Sequence, residues 1–321
     1  MALPENIIMD LSVVIPCYNE EESLAELHRR VENACRNADV ETYEIILVND
    51  GSSDGTIEMM RALVKQNHHV VAVNLSRNYG HQLALSAGLA EACGDYIFVL
   101  DADLQDPPEL LMPMLERARN GVDVVYGQRK TRRGETWFKL FCARAFYRTL
   151  SFLSETKIPE NVGDFRLMSR RVLDHLLSMP EQQRFIRGMI AWIGFKQEAF
   201  LYERDERFAG VTKYPLLKLI HFAVDAISSF SIRPLRLAIP FALMGIVLAG
   251  VLALYAILSY FGGNVFPGWA SLATIVTFFS SLQLLCLALI GEYLGRTFIE
   301  VKRRPLFIVS DVIREDGSDG K

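Results

Sequence analysis

Leu11-Ser12-Val13-Val14-Ile15-Pro16-Cys17-Tyr18-Asn19-Glu20 is the stretch whose reading decides the fold. The run from Leu11 to Ile15 is apolar and β-branched, which marks a buried strand, and Pro16 closes it. Glu21 to Ala34 follows with apolar residues at Leu24, Leu27 and Val31, the spacing of one helix face. The unit then repeats. Glu44 to Val48 reads as a strand and Gly55 to Lys65 as a helix; Val70 to Val73 as a strand and His81 to Ala92 as a helix. Tyr96 to Leu100 and Val122 to Tyr126 are further strands, with a helix at Pro108 to Arg119 between them. Such βα alternation predicts a mainly parallel α/β sheet covered on both faces, with ligands at the carboxyl ends of the strands.

Far downstream the composition changes. Leu237 to Gly291 holds no Asp, Glu, Lys or Arg, and Phe261-Gly262-Gly263-Asn264-Val265-Phe266-Pro267-Gly268 divides that block. The spacing predicts two transmembrane helices, about 235–260 and 271–294, each long enough for a hydrocarbon core of about 30 Å at about 1.5 Å per residue. A buried hairpin in a soluble protein is the competing reading, but soluble core helices rarely run beyond about 20 wholly uncharged residues. Arg233 and Arg236 precede the first span, and Arg296, Lys302, Arg303 and Arg304 follow the second. Cations favour the cytoplasmic side, so a multi-pass protein with both termini and the 1–232 domain in the cytoplasm is expected. Residues 233–297 then form the anchor and 298–321 a cytoplasmic tail.

The chain has 321 residues and a formal net charge of −4 at pH 7, which argues against a nucleic-acid partner. Cys17, Cys35, Cys93, Cys142 and Cys286 show no paired or metal-type spacing, so neither a disulfide framework nor a zinc site is expected. Met1 to Asp10 lacks a basic start followed by an apolar run, so no cleaved signal peptide is expected either.

The strand tips carry the chemistry. After the first strand come Pro16 to Glu20, after the second Asn49-Asp50-Gly51-Ser52-Ser53-Asp54-Gly55, and after the fourth Asp101-Ala102-Asp103-Leu104-Gln105-Asp106-Pro107-Pro108. Singly, Asp50-Gly51-Ser52 is a common turn and Asp54 a helix cap. Together they bring three acidic loops to one edge, where a divalent cation that also holds a phosphate relieves the repulsion. With no dinucleotide glycine fingerprint and no phosphate-loop lysine motif, the pattern favours a sugar nucleotide.

In order, Val13 to Glu20, Asn49 to Asp54, Leu75-Ser76-Arg77-Asn78-Tyr79-Gly80, Asp101 to Pro108, Gly163-Asp164-Phe165-Arg166-Leu167 and Arg207-Phe208-Ala209-Gly210-Val211-Thr212-Lys213-Tyr214 resemble the motifs of one family. It is that of the inverting GT-A glycosyltransferases of family two, within them the membrane-anchored polyprenyl-phosphate glycosyltransferases. The paired C-terminal spans resemble bacterial bactoprenol glucosyltransferases more than dolichol-phosphate mannose synthases. Asn49 departs from the pattern, since many relatives carry an acid there.

The resemblance implies a GT-A fold, a Rossmann-like mainly parallel sheet, in a bacterial inner-membrane enzyme that forms a polyprenyl-phosphate sugar for the cell envelope. Its donor is a nucleotide sugar, taken as a UDP-hexose, its acceptor undecaprenyl phosphate, and its cofactor Mg²⁺ or Mn²⁺; relatives assemble as tetramers. Pro16, Tyr18, Glu20 and Asp50 would form the nucleoside pocket, with Tyr18 as a flat face for the base and the carboxylates as acceptors. Asp101 would hold the ribose side. Asp103 and Gln105, two apart on a stretch taken as extended, would offer oxygens to the metal.

A polyprenyl monophosphate has a second pKa near about 6, so it arrives mostly as a dianion and needs no strong base. It does need a cationic clamp, for which Arg129, Arg207 and Lys213 are the candidates. Arg129 opens the basic run Arg129-Lys130-Thr131-Arg132-Arg133, where a solvated role competes. Asp164 either orients the acceptor, accepts a proton from a monoanion, or simply pairs with Arg166. Trp137 to Leu153 and Leu216 to Ile232 have the apolar and cationic faces of helices at a bilayer interface. Two other functions compete: a processive polysaccharide synthase, whose Gln-x-x-Arg-Trp stretch Gln182-Gln183-Arg184-Phe185 lacks, and a membrane-anchored nucleotide-binding scaffold.

Overall fold

In the computed structural model, which describes residues 9–129, 162–203, 238–262 and 268–315, the expected alternation is present. The strands are β1 (Met9–Cys17), β2 (Tyr43–Asn49), β3 (Val70–Leu75), β4 (Gly94–Val99), β5 (Val124–Arg129), β6 (Val162–Ser169), β7 (Gln197–Tyr202) and β8 (Val309–Ile313). The helices are α1 (Leu24–Asn37), α2 (Thr56–Gln66), α3 (His81–Glu91), α4 (Leu111–Arg119), α5 (Arg170–Ser178), α6 (Ile186–Ile193), α7 (Ala238–Phe261) and α8 (Trp269–Lys302). A short 3-10 turn, Pro108–Leu110, leads into α4.

These strands form one sheet in the order β7-β5-β6-β4-β1-β2-β3-β8. Pairs β1–β2, β1–β4, β2–β3 and β5–β7 are parallel, as the alternation requires, whereas β6 and β8 run antiparallel to their neighbours. Central β2 is buried at every position, and β1 from Leu11 onward, as strands covered on both faces must be. α1 turns Leu24, Leu27, Val31, Ala34 and Cys35 inward. α3 is different, because Ala84 to Leu89 are buried without a break and the helix lies tight on the sheet. A side chain begun at Gly88 would come within 2.5 Å of Val14 Cγ1 and 2.7 Å of Val48 Cγ2, so that glycine sets the helix-to-sheet distance.

The antiparallel strand β6 positions the site. Val99 of β4 pairs with Arg166 of β6, so the start of β6, with Gly163 and Asp164, lies at the same edge as the carboxyl end of β4. Strand β8 was not expected at all. It pairs with β3 through Val73–Val312 and Asn74–Asp311, closing the sheet with residues whose polarity reads as a tail.

The described residues divide into two compact units, the sheet with α1 to α6 and the pair α7 and α8. Both expected apolar helices are present, joined across 262–268. Within α8, the 28 residues Ile275–Lys302 hold an 18-residue window with a mean hydropathy of 1.8 and none of it buried, and are long and apolar enough to cross a membrane. Leu284 and Leu294 are each 66% exposed, which fits a lipid rather than an aqueous surrounding. The two stretches expected at the bilayer interface, 137–153 and 216–232, lie outside the described residues.

Substituting Gly88→Ala should destabilise the sheet unit by about 1–3 kcal/mol through overpacking. A melting temperature of the purified protein equal to the wild type would show that α3 can move away.

Candidate active site

Four strand tips, those of β1 to β4, meet the start of β6 and the first turn of α3. The loops are tied to one another before any ligand is considered. Asn19 takes a left-handed backbone (φ 55°), and its amide donates to Ser52 Oγ (3.0 Å) while its side-chain oxygen accepts from Ser53 N (2.8 Å). Glu20 N donates to Thr56 Oγ1 (2.9 Å), and Gly55 N to Glu21 Oε2 (3.0 Å). The β2 tip is pressed against the β3 tip at Gly51, where φ is +64° and a side chain would meet Arg77 C at 2.5 Å. Asp50 then fixes the third loop, because Tyr79 N and Gly80 N donate to its two carboxylate oxygens at 2.7 and 2.9 Å. Burial pushes the Asp50 carboxyl up from its ordinary value, against the pull of those two amides.

Of the residues expected around a nucleoside, Pro16 is buried in β1 beside Val48, Tyr18 stands 50% exposed, and Glu20 accepts from Ser23 Oγ (2.6 Å). They and Asp50 share the β1 and β2 tips. Asp101 and Asp103 sit beyond the end of β4. The stretch Asp103-Leu104-Gln105 is a turn, with Leu104 at φ 58°, and not extended; Gln105 N donates to Asp103 Oδ1 (3.2 Å). Those two residues are neighbours because the backbone folds back, not because of strand alternation.

Asp164 is the centre of the arrangement. Its side chain is 1% exposed, yet it is heavily partnered. Arg187 donates through Nε to Oδ1 (2.8 Å) and through Nη2 to Oδ2 (2.9 Å). His81 Nε2 and Gln82 Nε2 each donate to Oδ2 at 3.0 Å. Burial alone would raise this carboxyl, but Arg187 and His81 outweigh it and hold it well below the usual carboxylate range. Arg166, the partner expected from sequence, comes only to 4.0 Å and donates mainly to the backbone oxygens of Gly163 and Asp164. Its burial lowers its pKa to about 10. For His81, burial opposes protonation, but the Asp164 hydrogen bond and the Asp101 charge prevail and its pKa rises.

Asp101 has the opposite balance. Burial pushes it up to about 6, with His81 pulling it down and Asp164, Asp106 and Asp103 adding to the rise. Its Oδ1 is buried and lacks a hydrogen-bond partner among the described residues, with His81 Nε2 3.5 Å away. Asp101, Asp103 and Gln105 are oxygen donors, one of them with an unpartnered buried oxygen, and that chemistry suits a hard divalent cation. His81, Asp101 and Asp164 also offer ligand atoms within 4.8 Å of one another. That trio is a poorer metal cage, since both Asp164 oxygens already accept from charged donors.

Arg129 proves not to be a solvated member of its basic run. It ends β5, donates to Tyr202 Oη (3.4 Å) and lies 3.9 Å from Asp106, itself hydrogen-bonded to Tyr202. Its Nη2 also lies 3.0 Å from where a side chain at Gly163 would begin. Arg207 and Lys213 lie outside the described residues. Sequence reasoning missed His81, Gln82 and Arg187. His81 directly follows the Ser76-Arg77-Asn78-Tyr79-Gly80 motif and opens a helix, which was a usable signal; Arg187 carried none, because only the tertiary fold brings α6 to β6.

Residues 12–177 match Glycosyl transferase family 2. The chain belongs to that family. This family-2 glycosyltransferase is 45% identical over 308 residues to an uncharacterized glycosyltransferase of Synechocystis, covering 95% of this chain and 96% of that one. It is 38% identical over 310 residues to the prophage bactoprenol glucosyl transferase homolog of Escherichia coli, covering 95% and 99%. With the bactoprenol glucosyl transferase of Shigella phage SfII it shares 37% identity over 305 residues, covering 94% and 97%.

Removing Arg187 takes the bidentate partner from a buried carboxylate. Arg187→Ala should cost about 1–3 kcal/mol in a denaturant titration, with His81 and Gln82 retaining part of the compensation. An unchanged midpoint would show that Asp164 does not depend on it.

Proposed function

We propose that this glycosyltransferase moves a hexose-type unit from a UDP-sugar onto undecaprenyl phosphate, or a closely similar polyprenyl phosphate, at the cytoplasmic face of the bacterial inner membrane. The supporting observation is the reach of the similarity to the bactoprenol glucosyl transferases. It covers 95% of this chain and 99% of the Escherichia coli relative, and so takes in the acidic strand tips and the apolar helices together. Residues 1–232 are the catalytic domain and 233–297 the two-helix anchor, with both termini in the cytoplasm.

In this reading Tyr18 stacks on the base, Glu20 and Asp50 line the nucleoside pocket with Pro16, and Asp101 accepts from the ribose. Asp103 and Gln105 hold Mg²⁺ or Mn²⁺, with the orphaned Asp101 oxygen beside them. When bound, the cation supplies positive charge to the departing diphosphate. The acceptor phosphate attacks the anomeric carbon from the face opposite the leaving group, which inverts its configuration. Arg129, Arg207 and Lys213 hold the acceptor oxygens and offset the repulsion between two phosphate-bearing substrates.

Asp164 serves orientation in this scheme. A carboxylate held well below its usual range and already accepting from three side chains is a weak base, and a dianionic phosphate needs none. Its charge holds Arg187 and His81, the latter within 3.5 Å of Asp101.

Asp103→Ala should abolish sugar transfer and any response to Mn²⁺ or Mg²⁺, while the melting temperature stays near that of the wild type. Full activity in that variant would remove the metal assignment.

A further inference from the structure

On the far side of the site from Asp164, a continuous run of side-chain hydrogen bonds crosses three strands. Asn74 Nδ2 donates to Asp311 Oδ1 (2.8 Å), and Asn49 Nδ2 donates to Asn74 Oδ1 (2.8 Å). Asn49 Oδ1 accepts from Ser52 N (3.1 Å), and Ser52 Oγ accepts from Asn19 N (3.0 Å). The run begins in edge strand β8, passes the ends of β3 and β2, and finishes in the loops that carry Tyr18, Glu20 and Asp50. Asn49 is 3% exposed, so water offers its amide no alternative partner.

One end sets the direction of the whole run. A carboxylate only accepts, so Asp311 turns the Asn74 NH₂ toward β8 and the Asn74 oxygen toward β2. Asn49 must then donate to Asn74 and present its own oxygen to Ser52 N–H. Arg61 lies 3.7 Å from the other Asp311 oxygen as a half-exposed pair that is worth little by itself.

We infer that Asp311 and Asn74 are positioning residues for the donor site: the acid on β8 fixes, through Asn74 and Asn49, the conformation of the Asp50–Ser53 loop. This rests on the reading that the β1 and β2 tips receive the nucleoside. It also accounts for Asn49, the position at which the chain departs from the resembled motif. An acid there would face the Asn74 oxygen, acceptor against acceptor.

The run can be reversed. In the Asn49→Asp, Asp311→Asn double variant the carboxylate at position 49 accepts from Asn74 Nδ2, and the Asn74 oxygen accepts from the amide at position 311. Ser52 N keeps its acceptor. The experiment uses full-length protein in detergent, with calorimetric binding of uridine diphosphate, acceptor KM and melting temperature read for each variant. Asn49→Asp alone should weaken nucleotide binding about tenfold, one buried hydrogen bond's worth, with the acceptor KM unmoved. The double variant should return to within about twofold of the wild type.

A double variant no better than Asn49→Asp overturns the inference. So does a lowered melting temperature with unaltered nucleotide affinity, the mark of a purely structural run. Wild-type protein that binds no uridine diphosphate would overturn the donor-site reading, and the positioning role with it, which is a result distinct from the other two.

Discussion

A buried carboxylate that stays ionised must be enclosed by donors, and Asp164 meets that condition by drawing three elements together. β6 carries the charge, α3 brings His81 and Gln82, and α6 brings Arg187. The antiparallel course of β6 beside β4 makes this possible, because it returns the chain to the edge where the parallel strands end. Satisfying Asp164 leaves Asp101 next to it without equivalent donors, and its Oδ1 is left without a hydrogen bond among the described residues. One carboxylate is compensated internally.

Under the proposed function that asymmetry divides the labour of the site. Asp164 has few free lone pairs and little affinity for protons, which under the proposed function leaves it to fix geometry. At the β4 tip Asp101, Asp103 and Gln105 offer the oxygen donors that a hard cation takes, and Asp101 Oδ1 lacks a hydrogen bond among the described residues. The loops after β1 and β2 are tied by backbone-to-side-chain hydrogen bonds, so that side of the site is largely formed in advance. Glycosyl transferase family 2 membership and this arrangement agree on the class of chemistry.

The parallel part of the sheet was legible because each strand is an apolar run and each helix repeats its apolar residues at helical spacing, Leu24, Leu27 and Val31 being the plainest case. β6 was legible only as a motif, since Asp164 and Arg166 interrupt the apolar pattern that a buried strand normally shows and are satisfied only in three dimensions. β8 read as a polar tail for the same reason, with Asp311 at its centre partnered by Asn74. The acids at the β4 tip were found, but the left-handed Leu104 between Asp103 and Gln105 was not, because no glycine or asparagine marks it. For Arg129 the sequence left a clamp role and a solvated one in competition, because Asp106 and Tyr202, its partners in the fold, lie far off in sequence.

Release of uridine diphosphate from UDP-glucose by the purified protein with Mn²⁺, measured with and without undecaprenyl phosphate, bears most directly on the site as a lipid-phosphate transferase. Release should require the lipid phosphate and yield a glycolipid whose anomeric configuration is inverted. Release undiminished without the lipid, or sugar found on a sugar hydroxyl instead of a phosphate, would contradict it.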